Sequence, residues 1–141
     1  MAQQTVAELM TAPVTSVQAT EPVKAAATAM RENDIGDVLV LEGDELRGVL
    51  TDRDLVVRVL AAGMDPNTTL AGEVCSSGIA TVSAGSPVDA AIEKMRDRAL
   101  RRLPVVDDQG RPVGVVSLGD LAVDRDPDSV LGHISAAAPN R

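Results

Sequence analysis

The chain has 141 residues, a formal net charge of −8, and no Phe, Trp or Tyr. This composition argues against binding to nucleic-acid phosphates or an anionic membrane surface, which call for basic residues, and against base stacking on aromatic platforms. No apolar run reaches the roughly 18 residues of a membrane span, and Met1-Ala2-Gln3-Gln4 lacks the basic region and apolar core of a secretion signal, so a cytoplasmic location is expected.

The length suits one domain, or two half-domains sharing a core, built from Val, Leu, Ile, Ala and Met. Thr5-Val6-Ala7-Glu8 fits a capping box opening a short helix through Met10, with Pro13 as its stop. Val14-Thr15-Ser16-Val17 is β-prone. Val23, Ala26, Ala27 and Met30 then form one helical stripe, read as a core face with Met as gap-filler. Val38-Leu39-Val40-Leu41 is a continuous apolar run, hence a buried strand. Glu42-Gly43-Asp44-Glu45 turns the chain, and Leu46 to Leu50 returns as the next strand. Thr51-Asp52-Arg53-Asp54 opens a helix through Ala62, ended by Gly63, with a linker over 63–70. The order then repeats: a strand near Ala80–Val82, a helix over 87–98, strands over 103–107 and 113–116, and a helix from Ser117. Ser129 to Ala138 is read as a last short helix, and Pro139-Asn140-Arg141 as a frayed end. Cys75 has no intramolecular partner for a disulfide and is read as a small, half-buried residue.

The second half restates the first. Pro22-Val23, Ala25-Ala26 and Met30-Arg31 return 65 positions later as Pro87-Val88, Ala90-Ala91 and Met95-Arg96. Beyond one inserted residue the offset is 66, and Gly48-Val49 and Asp54-Leu55 return as Gly114-Val115 and Asp120-Leu121. The expected fold class is α/β (α+β), two similar units packed face to face with pseudo-two-fold symmetry. Repeat one spans 6–62, repeat two 71–123, and 124–141 is a C-terminal segment. A site between the repeats would come in two versions.

Two constellations carry chemistry. In Gly48-Val49-Leu50-Thr51-Asp52-Arg53-Asp54 and Gly114-Val115-Val116-Ser117-Leu118-Gly119-Asp120, a hydroxyl precedes a carboxylate by three positions where a strand feeds a helix. Ser/Thr-x-x-Asp is an ordinary helix cap. The same geometry also suits a ligand: free N–H groups for a phosphate, and a carboxylate for the vicinal hydroxyls of a ribose. The second constellation is Arg96, Arg98, Arg101 and Arg102, either a solvated face or, at Arg101-Arg102 beside the strand Leu103-Pro104-Val105-Val106, a phosphate contact.

The Pro-Val-x-x-Ala-x-x-x-Met helix, the Arg102-Leu103-Pro104-Val105-Val106 strand and both Gly-x-x-Thr/Ser-x-x-Asp endings resemble a pair of cystathionine-β-synthase (CBS) domains, a Bateman module. Leu50-Thr51-Asp52-Arg53-Asp54 and Leu60-Ala61-Ala62-Gly63-Met64-Asp65-Pro66 further resemble small stand-alone bacterial CBS-pair proteins, including hypoxia- or stress-associated ones. The resemblance implies two clefts, each combining the opening segment of one repeat with the closing motif of the other. Such clefts take AMP, ADP, ATP, S-adenosylmethionine or NAD, with adenine among aliphatic residues. Carried over by position, the main cleft joins Thr81, Val82, Arg101 and Arg102 to Leu50, Thr51, Arg53 and Asp54. The second joins Thr15, Ser16, Val17, Gly36 and Asp37 to Val116, Ser117 and Asp120. Asp37 would repel a phosphate at close range, so the main cleft is expected to be the better phosphate site. The family also implies a homodimer, driven by an exposed apolar helix face.

Catalysis finds little support. His133 is the single histidine and Cys75 the single cysteine; no cluster has metal-ligand spacing, and His133, read as an exposed tail residue, has no identifiable partner for nucleophilic chemistry. A ligand-sensing regulatory module with no required cofactor is the leading expectation. A ligand-free dimeric adaptor or stress protein is the alternative.

Overall fold

A computed structural model describes residues 4–125. The expected helix at Ser129–Ala138, the frayed end and His133 lie outside the described residues. Two compact units form, one from residues 14–79 and one from 4–13 with 80–125. Both are mixed α/β.

In the first unit, β1 (Ser16–Gln18), β2 (Asp37–Glu42) and β3 (Glu45–Thr51) make a sheet in that order. β1 runs parallel to β2, so the chain must cross over between them, and α2 (Val23–Asn33) is the crossover. β2 and β3 are an antiparallel hairpin, with Asp37 opposite Thr51 at one end and Glu42 opposite Glu45 at the other. The core is Val17, Val23, Ala26, Met30, Val38, Val40, Leu50, Val59, Ala71 and Val74. Val38, Leu39 and Val40 are all buried, as the continuous apolar run predicts.

The second unit repeats this plan with β4 (Val82–Ser83), α5 (Val88–Arg98), β5 (Arg102–Val106) and β6 (Pro112–Ser117). Its core is Val6, Val82, Val88, Ala91, Met95, Leu103, Val105, Val116 and Leu121. Even the ladder irregularity recurs, between Val40 and Leu41 and again between Val105 and Val106.

The stripe on α2 is shifted from its expected position. Val23, Ala26 and Met30 are buried, but Ala27 is exposed, while Ala25 and Ala29 pack partly against the core. The buried arc is rotated toward the Ala25 and Ala29 side of the stripe, which the repeating positions alone do not define. In α5, Val88, Ala91 and Met95 are buried and Ile92 is half-buried.

The units do not follow the repeats. The short helix α1 (Val6–Leu9) packs in the unit of β4–β6, and α4 (Ala71–Val74) in the unit of β1–β3. Tertiary hydrogen bonds explain why. The leading N–H groups of α1 donate to Ser86 (Val6, 2.9 Å) and Ala84 (Ala7, 3.0 Å). Those of α4 donate to Glu21 (Ala71, 2.8 Å) and Ala19 (Gly72, 3.0 Å). The expected Thr5 capping box is not made: Thr5 has no side-chain cap bond, and the Glu8 N–H that such a box would use donates to the Thr5 carbonyl at 3.1 Å. After each short helix the chain pairs with a sheet edge, Thr11 with Val115 and Ser76 with Val49.

Candidate functional site

The two Thr/Ser-x-x-Asp motifs have the same geometry. α3 (Asp52–Asp54) starts where β3 ends, and Thr51 is its N-cap. The Asp54 N–H donates to Thr51 Oγ1 at 3.1 Å, and the Thr51 N–H donates to Asp54 Oδ2 at 2.9 Å. In α6 (Leu118–Arg125), the Asp120 N–H donates to Ser117 Oγ at 3.1 Å, and the Ser117 N–H to Asp120 Oδ2 at 2.9 Å. Both motifs are thus reciprocal capping boxes. The cap occupies Oδ2 of each carboxylate and leaves Oδ1 outside it. At Asp54, whose side chain is only 15% exposed, Oδ1 lies 3.7 Å from Arg58 Nε. Arg58 Nη1 also donates to the Val74 carbonyl at 3.1 Å.

Beyond Asp54 the helix widens: Leu55–Leu60 is π-helical. Such turns are rare and often occur at functional sites. The reading of Thr51 to Ala62 as one helix anticipates neither this turn nor the pairing of Arg58. An acid–base pair at i, i+4 in Asp54-x-x-x-Arg58 was the available signal.

The remaining expected site residues fall into two groups. Leu50, Val17, Val82 and Val116 have side chains buried in the two cores, so any ligand contact they make falls to their backbone. Thr15, Gly36, Asp37, Thr81, Thr51, Asp54, Ser117 and Asp120 are half-buried, and Ser16, Arg53, Arg101 and Arg102 are exposed. Within the first unit, Gly36 and Asp37 sit beside the Thr51 motif: Asp37 pairs with Thr51, and the Asp52 N–H donates to the Gly36 carbonyl at 2.9 Å. Within the second, Arg101 and Arg102 sit beside the Ser117 motif: Arg102 pairs with Ser117, and the Leu118 N–H donates to the Arg101 carbonyl at 2.7 Å. Each closing motif therefore has a strand end of its own unit next to it, acidic for Thr51 and basic for Ser117. Arg96 and Arg98 lie exposed on α5, as a solvated face.

A shallow groove at the opposite end of the β2–β3 hairpin, lined by Ala19, Thr20, Glu42, Arg47, Leu70, Gly72 and Glu73, includes none of the expected site residues. Its charges are engaged, Arg47 with Glu42 and Glu73 with the Leu70 N–H. Cys75 is half-buried against the first core, as expected. Among the described residues, no helix is long and apolar enough to cross a membrane.

The CBS domain model matches twice, over residues 6–61 and 71–123. The chain belongs to the CBS-domain family. Among its relatives is hypoxic response protein 1 of Mycobacterium tuberculosis, 42% identical over 119 residues, which are 84% of this chain and 82% of that protein. A crystal structure of hypoxic response protein I, with two coordinated zinc ions, superposes with a TM-score of 0.76 over 84% of this chain and 97% of that one. A CBS domain protein from Pyrobaculum aerophilum, solved in complex with AMP, is 28% identical, with a TM-score of 0.76 over 95% of this chain and 100% of that one. This chain is thus a tandem CBS pair, and CBS domains are in general regulatory modules.

Proposed function

We propose that this CBS pair is an adenosine-nucleotide-binding regulatory module rather than an enzyme, with Asp54 and Asp120 as the ribose-binding carboxylates. The supporting observation is the division of labour at Asp54: Oδ2 caps its own helix while Oδ1 is left to a 3.7 Å contact with Arg58. A capping carboxylate of this kind is held rigidly and still has an oxygen to accept a ribose hydroxyl. The AMP complex of the Pyrobaculum aerophilum relative favours this ligand class. A ligand would regulate through its different affinities for two states of the module. Among the described residues, no group of three or more His, Cys, Asp or Glu could hold a metal ion.

Calorimetric titration with AMP, ADP, ATP, S-adenosylmethionine and NAD tests the reading. At least one is expected to give a saturable response, weakened about tenfold or more in Asp54→Ala, the loss of one charge-assisted hydrogen bond. Flat titrations with all five at millimolar concentration would leave Thr51-x-x-Asp54 as a helix cap alone.

One feature favours a second reading, a ligand-free dimeric adaptor. Val56, Leu60 and Met64, spaced four apart, are 55%, 75% and 41% exposed, an apolar stripe on and just after the π-helical turn. Such a stripe suits a homodimer contact. Sedimentation equilibrium is expected to find a dimer that Leu60→Glu shifts to monomer. A dimer unchanged by Leu60→Glu would remove the stripe from the contact.

A further inference from the structure

Arg58 is held at two points, one of them the carboxylate of the candidate site. Its Nε lies 3.7 Å from Asp54 Oδ1, and its Nη1 donates to the carbonyl of Val74, the last residue of α4. Asp54 is mostly shielded from water, so the pairing is screened less than between two fully exposed groups. A guanidinium fixed by a second bond also loses less freedom on pairing than a mobile one.

The charges around the two motifs give this residue its significance. In the first unit, Asp37 faces Thr51 across the ladder, Asp52 follows Thr51, and Asp54 closes the motif. The motif itself thus puts two carboxylates, Asp52 and Asp54, at one helix start, a poor setting for a phosphate-bearing ligand. Both arginines that follow Thr51 here, Arg53 and Arg58, are exposed, and Arg58, with its side chain 51% exposed, is the one paired with Asp54. In the second unit, the neighbouring strand brings Arg101 and Arg102 to the Ser117 motif. There the residue four places after the carboxylate is Asp124, where the first motif has Arg58.

We infer that Arg58 is a specificity residue of the Thr51/Asp54 motif, offsetting local negative charge so that an anionic adenosine ligand is accepted there. The inference rests on the nucleotide-binding reading above. By offsetting charge, Arg58 acts on the phosphate of AMP and not on neutral adenosine, so the two ligands separate this role from simple support of the fold.

The test is calorimetric titration with AMP and with adenosine in an Asp120→Ala background, which isolates the Thr51 motif. Arg58→Gln is expected to weaken AMP roughly three- to tenfold while adenosine changes little, a size set by one charge acting at partly screened distance. Arg58→Lys, which keeps the charge but not the fork, is expected to retain the AMP-to-adenosine ratio. Equal weakening of both ligands, no change in either, or a ratio that collapses in Arg58→Lys as it does in Arg58→Gln would each overturn the charge role. Failure of AMP and adenosine to bind even without substitution at Arg58 would instead overturn the nucleotide reading, and this inference with it. Thermal melts by circular dichroism confirm that each variant is folded, and if Arg58→Gln is not, the Lys variant and the salt dependence of the ratio decide.

Discussion

Gly48→Ala is expected to destabilise the protein by about 3 kcal/mol or more, near the upper end for an overpacked site. A Cβ at Gly48 would fall inside the Ser76 carbonyl oxygen and 2.8 Å from Cys75 Sγ. The Ser76 oxygen is backbone and already bound, accepting the Val49 N–H at 3.1 Å while the Ser76 N–H donates to the Val49 carbonyl at 3.0 Å. It cannot move without breaking the bridge that fixes the chain after α4 to the edge of β3. The matching Gly114→Ala is expected to cost about 1 kcal/mol, at the low end of the same range. A Cβ there would first meet Met10 Sδ and Cγ, at 2.5 and 2.9 Å, and only then the Thr11 carbonyl at 3.0 Å. Methionine has rotatable bonds to give way; a carbonyl in a bridge does not. Urea unfolding followed by far-ultraviolet circular dichroism measures both, and equal costs would show that the Ser76 contact is not what sets the difference.

Leu50→Ala is expected to cost about 2–5 kcal/mol, the range for a buried leucine truncated to leave a cavity. Leu50 is fully buried beside Val17, Val38 and Val59 in the first core. That is a large share of a total stability of about 5–15 kcal/mol. The prediction matters because the resemblance places Leu50 in the main cleft. A lost nucleotide response in Leu50→Ala would report partial unfolding rather than a lost contact. Asp54→Ala is the cleaner probe, since it empties no core position and removes only the cap bond to the Thr51 N–H along with the ligand contact. Melting curves recorded beside the titrations separate the two effects, and an unchanged midpoint for Leu50→Ala would take Leu50 out of the core.

Sequence alone determined much of the plan of this protein. The offset repeats required two similar units, and both sheets and their crossover helices follow the same order. Period and length placed Val23, Ala26, Met30, Val88, Ala91 and Met95 in the cores, because helical spacing maps directly onto a face. Thr51-x-x-Asp54 and Ser117-x-x-Asp120 were legible as caps because a capping box is local, spanning four residues. Where a partner is distant in the chain, the sequence was silent. Thr5 looks like Thr51, yet its helix is served by Ser86 and Ala84, some eighty residues away. The exchange of α1 and α4 between the units, the tight contact at Gly48 and the hold of Arg58 on Val74 all depend on segments that meet only after folding. Local hydrogen bonds and periodicities are written in neighbouring residues; which carbonyl fills a distant donor is decided only when folding brings those residues together.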